Sequence, residues 1–115
     1  MKGEGPLYIV HAILALGVEI AVLVAMVRFG RTMVEGFWGW GLGFLCMGGI
    51  IALWALWGAP NSATRLDGTA LLVFKSAVFL TATLAFWISS GPMGAAVFAI
   101  ITMIHLALAL QQGWL

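Results

Sequence analysis

From Leu7 to Val27 the chain is apolar except for two strongly polar side chains, His11 and Glu19. A run of about 20 residues, rising about 1.5 Å per residue as a helix, crosses the roughly 30 Å hydrocarbon core of a bilayer. Glu19 then lies deep in that core. A charged side chain at such depth costs at least about 2.5 kcal/mol on insertion scales, so it faces a bundle interior, a partner or water. A second apolar run holds a candidate partner, Lys75. Any fold for this chain must shelter both groups from lipid.

Composition agrees with a membrane setting. Of the 115 residues, 63% are hydrophobic and 8% are charged, against about 25% charged in an ordinary soluble domain. The formal net charge is +1 and no basic run occurs, so no nucleic-acid partner is expected. A single cysteine, Cys46, excludes an intrachain disulfide framework. The first apolar run exceeds the length of a signal-peptide core and no small-x-small cleavage site follows it, so a retained helix is expected.

The hydropathy divides into four runs, at approximately residues 7–29, 37–57, 69–89 and 93–114. The expectation is an all-α, four-helix transmembrane bundle, up-down and antiparallel with short loops, forming a single membrane domain over residues 1–115. Gly30-Arg31-Thr32 is expected to open the first link. Gly58 to Ser62 and Asp67-Gly68 frame the second, and Ser89 to Pro92 makes the third. Trp38, Trp40 and Trp87 fall at one face, and Tyr8, Trp54, Trp57 and Trp114 at the other, as an interfacial aromatic belt requires. Lys2 and Arg65 lie on the side of the termini, with Lys75 leaning that way, against Arg28 and Arg31 opposite. Positive-inside counting then puts both termini in the cytoplasm.

Counting depth from the face of the termini gives about 6 Å for His11, about 9 Å for Lys75, about 13 Å for His105 and about 18 Å for Glu19. All four ionisable side chains therefore fall in one half of the membrane or at its midplane. Three arrangements follow. Glu19 and Lys75 neutralise each other and specify helix pairing. Alternatively, Lys75 snorkels to the interface while His105 or a hydroxyl holds Glu19. In the third, Glu19, Lys75, His105 and His11 line a ligand or transport site. His105 is the first choice of partner for Glu19 and Lys75 the second. The two histidines with Met103 and Cys46 lack metal-ligand spacing, so neither metal nor other cofactor is expected.

Gly39 and Gly43 form a GxxxG pair in the second run, which Gly48, Gly49 and Ala52 extend; Ala95 and Ala99 repeat the spacing in the fourth. Small residues let membrane helices approach closely, either within one chain or between two copies of it. A homodimer face is one expectation from this surface.

The stretch Trp54 to Leu66, W-A-L-W-G-A-P-N-S-A-T-R-L, is the most distinctive segment. Together with Trp38-Gly39 and Glu19 it resembles the YrdB-like family of small bacterial four-helix membrane proteins, and the resemblance spans almost the whole chain. It marks Trp57, Pro60 and Arg65 as a loop motif and Glu19 as the family's first-helix glutamate. It implies a multi-pass protein of the bacterial cytoplasmic membrane and carries no established activity. Lys75 stands where the resemblance implies a second glutamate, which turns a two-carboxylate pattern into one of opposite charges.

No nucleophile, base and orienting group occur at recognisable spacing, and no phosphate loop is present, so an enzyme is not expected. The expected function is a transporter-like or ligand-binding bundle with an intramembrane polar site for an unidentified small molecule. The alternative is a structural or accessory membrane protein whose buried charges only specify packing. A proton-coupled pathway ranks last, because the far half of the membrane offers few polar groups for an exit. A cavity reaching Glu19 favours the first reading, and a closed Glu19–Lys75 contact favours the second.

Overall fold

The computed structural model describes residues 5–59 and 61–115. Among these the protein is all-α, with α1 over Pro6–Met33, α2 over Phe37–Trp57 and α3 over Gly68–Gln112. Each helix is long and apolar enough to cross a membrane. Helix is the form an open chain takes in lipid, where every backbone polar group must be satisfied within its own segment. None of the three separates an apolar face from a polar one. Large apolar side chains such as Ile13, Phe37, Leu45, Met93 and Ile104 are exposed on all of them, as suits a lipid surround rather than water.

Two element boundaries differ from the sequence expectation. α1 runs through Gly30-Arg31-Thr32 to Met33. Thr32 returns its hydroxyl to the Arg28 carbonyl at 2.8 Å, inside the helix. Gly30 serves a close helix contact rather than a turn. The second difference concerns the expected third and fourth helices, which form one element. α3 continues through Ser89 to Pro92 with only Gly91 departing from helical geometry, at φ 85° and ψ −177°. That conformation is open essentially to glycine alone. Pro92, which has no N–H to offer the preceding turn, is pre-shaped to start the limb that follows.

The two limbs of α3 fold back on each other at this break. The Phe79 and Phe98 rings lie 6.4 Å apart and those of Phe86 and Phe98 5.1 Å apart. In a straight helix, residues 79 and 98 would be about 28 Å apart. The link that separates the limbs is one residue, where a loop of several was expected.

α1 is the central element. It packs against both α2 and α3, whereas α2 and α3 barely meet. Against α3 it buries Val18, Val22, Ala25 and Met26 among Phe79, Ala82, Ala85 and Phe98. Against α2 the contact is made by glycine. A methyl group on Gly43 would sit 2.7 Å from the Val27 carbonyl oxygen, and one on Gly30 would overlap the Gly43 backbone nitrogen. One on Gly39 would collide with the Val34 carbonyl oxygen in the link to α1. The Gly39–Gly43 surface is thus occupied within the chain, the first of the two uses expected of it, and not by a second copy. Gly48 and Gly49 take no part in the contact, since a methyl on either would meet open space.

The connection from α2 to α3 caps the end of α2. The Leu56 carbonyl accepts the hydroxyls of Ser62 and Thr64. The Trp57 carbonyl accepts the Leu66 N–H at 2.9 Å, and the Gly58 carbonyl accepts Arg65 Nε at 3.3 Å. These groups satisfy carbonyls that the helix itself leaves open. Arg65 also donates from Nη2 to the Leu115 backbone oxygen at 3.0 Å, joining the loop to the far end of α3. There Gly113 adopts a left-handed cap, φ 72° and ψ 32°, and Trp114 N–H bonds the Ala109 carbonyl at 2.8 Å. This turn swings Trp114 back over the bundle end. The start of α1, the end of α2 and both ends of α3 therefore gather at one end of the molecule.

Candidate functional site

A cavity of about 370 Å³ opens at this gathered end, between all three helices. Its volume lies in the lower range of small-molecule sites. α1 contributes Tyr8, His11, Ala15 and Glu19. Their spacing of three or four residues aligns them on one helix face. α2 contributes Trp54, the connecting loop Arg65, and α3 both Lys75 and, from its second limb, His105. The four ionisable residues singled out in the sequence thus surround one space, joined there by Arg65.

Their contacts differ from expectation. His105 does not bond Glu19. It stacks on His11 with ring centroids 4.8 Å apart and planes 13° apart. Trp114 tilts against His11 at 5.0 Å, and Tyr8 meets Trp114 edge-on at 5.2 Å. Phe79 presents its edge to His105 at 5.9 Å. This aromatic wall follows from the Gly113 cap, which directs Trp114 towards α1. His11 is 5% exposed and His105 4% exposed, yet Nδ1 of each has no hydrogen-bond partner among the described residues.

Lys75 is 9% exposed. Its ammonium lies 5.6 Å from the centroid of the Trp54 ring, a cation–π arrangement that offsets part of the cost of desolvation. Glu19 is half-buried on the cavity wall. Among the described residues no ion pair or hydrogen bond joins Glu19 to Lys75 or to His105. The cavity occupies the space where a direct contact was expected. Lys75 does not snorkel to the surface either: the first limb of α3 turns it inward, beside Phe74, Phe79 and Trp54.

A smaller cleft of about 120 Å³ adjoins the cavity between α1, α2 and the first limb of α3. Glu19, Trp54 and Phe79 belong to both spaces. The remaining lining of the cleft is wholly apolar: Val22, Leu23, Ile50, Ile51 and Val78. Among the described residues no group of three or more His, Cys, Asp or Glu is placed to hold a metal ion. Two cations against one carboxylate suit an anionic group instead.

Other residues marked in the sequence lie elsewhere. Trp57 turns its ring edge-on to Phe74 at 5.8 Å and does not line the cavity. Pro60 lies outside the described residues, as does Lys2. Gly39 and Gly43 serve the α1–α2 contact. At the opposite end Arg28 donates to the Ser90 hydroxyl at 2.8 Å, and Arg31 lies 4.4 Å over the Trp40 ring. Tyr8, Trp54 and Trp114, expected in an interfacial belt with a tryptophan-lined ligand site as the alternative, all line the cavity. The three-residue spacing of Tyr8 and His11 was the available signal for the first.

A family model described as Protein of unknown function (DUF2568) matches residues 13–103. The matched span includes Glu19, the glycines of the α1–α2 contact, Arg65 and Lys75; Tyr8, His11, His105 and Trp114 lie beyond it. The match carries no activity, and it bears neither on the YrdB-like name nor on a bacterial source. No curated protein and no solved structure matches the chain.

Proposed function

We propose, for a chain that belongs to the DUF2568 family of proteins of unknown function, that it is a multi-pass membrane protein binding a small molecule between its helices. Glu19, Lys75, His11 and His105 are the polar contacts of that ligand. The observation that carries this reading is the cavity of about 370 Å³ lined by all four. Buried ionisable groups that served only to pair helices would close on one another. Here they stand around a space, with no ion pair between them among the described residues.

The chain crosses the membrane four times in this reading, because each limb of α3 has about the 20 residues a crossing needs. The cavity then opens at the face of the termini. Arg65 and Lys75 lie towards that face, which positive-inside reasoning assigns to the cytoplasm of a bacterial cell. The protein is not an enzyme in this reading: the cavity pairs no nucleophile with a base. Binding alone or binding coupled to transport both use this site.

Cysteine accessibility tests the proposal. In a Cys46→Ser background, Ala15→Cys on the cavity wall should react with a water-soluble, membrane-impermeant maleimide from the face of the termini. Ile13→Cys, shallower but turned to lipid, should resist it. Equal resistance at both positions would favour the accessory-protein reading, with a dry interior.

A further inference from the structure

We infer that the ligand is a single-chain amphiphile with an anionic head, a carboxylate or phosphate monoester, whose head lies by Lys75 and Arg65 and whose chain occupies the apolar cleft. The inference rests on the ligand-binding reading and adds the chemical class. The polar cavity and the apolar cleft meet at Glu19, Trp54 and Phe79. One molecule filling both needs a polar end and a hydrocarbon end.

The charges set the head. Lys75 is more than nine-tenths buried and has no hydrogen-bond acceptor among the described residues. Arg65 reaches the same space from the loop. An anion placed between them gains charge-assisted hydrogen bonds from Lys75, which is already desolvated, and the charge of Arg65, which Gly58 and Leu115 hold in place. His11 and His105 wall the same space. Glu19, at the junction with the cleft, repels an anionic head and so holds it towards the Arg65 end.

The cleft sets the tail. Beyond Glu19 its walls are aliphatic or aromatic, so a polar extension would lose its hydration without return. Ile51 on its wall is 47% exposed at the outer surface. A chain in the bilayer has a lateral way in, while the head enters from the face of the termini.

The test uses the full chain in phosphatidylcholine nanodiscs, with protein-free nanodiscs as the partition background. Radiolabelled laurate and dodecyl phosphate are the probes, and the tighter of the two identifies the head. At least one should bind saturably. Lys75→Met should weaken it about tenfold or more, and so should Ile51→Trp, which fills the cleft from its lipid-exposed rim without touching the core. Saturable binding of butyrate or inorganic phosphate as tight as the long-chain probes, and indifferent to Ile51→Trp, would overturn the amphiphile while leaving a polar ligand site. Dodecyltrimethylammonium binding as tightly as the anions would overturn the head assignment. Absence of saturable binding by every probe, with Ala15→Cys still labelled, would overturn the inference without closing the cavity.

Discussion

His11 and His105 stack face to face across the contact between the start of α1 and the end of α3, 4.8 Å between centroids. The pair couples two segments far apart in sequence at the mouth of the cavity. Its packing uses the ring faces, and Nδ1 of each ring is enclosed by protein with no partner among the described residues. Stacking and polar function are therefore separable by substitution.

His105→Phe keeps a flat ring against His11 and removes a buried nitrogen that has no partner. A buried unpaired polar group costs about 1–3 kcal/mol. Thermal unfolding in detergent should show stability unchanged or raised by about 1 kcal/mol. Binding of the ligand should fall. A marked loss of stability would mean that an imidazole nitrogen holds the fold together.

Glu19 and Lys75 share a cavity without touching. In an isolated buried ion pair, removing one partner strands the other, and removing both restores much of the loss. Here Glu19→Gln and Lys75→Met should couple only through space, by about 1 kcal/mol or less in a double-mutant cycle. A coupling of several times that size would show that the two charges compensate each other directly.

Much of this arrangement was legible in the sequence. The apolar runs place the helices because lipid leaves the backbone few options. Depth counting groups His11, Lys75, His105 and Glu19, because rise per residue converts sequence position directly into height. Height does not give azimuth. That is why the expected His105–Glu19 bond is instead a His105–His11 stack. Gly30 looks like a turn residue in a one-dimensional reading, yet it permits contact with Gly43; only the pairing of α1 with α2 separates the two roles. Trp114 was invisible as a site residue because its position depends on the left-handed cap at Gly113. Gly91-Pro92 reads correctly as a break, but the sequence does not say that a single residue suffices to make it.

Gly43→Leu places a branched side chain where the Val27 backbone already lies. The helices must separate, at a cost of about 1–3 kcal/mol or more. Because this contact lies within the chain, the loss should appear in unfolding of the isolated protein. The mass measured by light scattering in detergent should not change. A shift from dimer to monomer on this substitution would mean that the glycine face serves a second copy.

Gly91 and Gly41 offer a paired test of the break in α3. Gly91 has φ 85°, and a methyl group there would meet no atom within 4 Å. Gly91→Ala therefore adds backbone strain without a clash. The cost should be about 1–3 kcal/mol, the range for a residue held in a glycine-only conformation. Gly41 also faces open space but lies in the regular helix α2. Gly41→Ala should raise stability by about 0.5–1 kcal/mol through a better helix former. Thermal unfolding of both variants in the same detergent compares them directly. Equal effects would mean that residue 91 tolerates ordinary helical geometry and that the fold-back of Phe79 onto Phe98 does not depend on glycine.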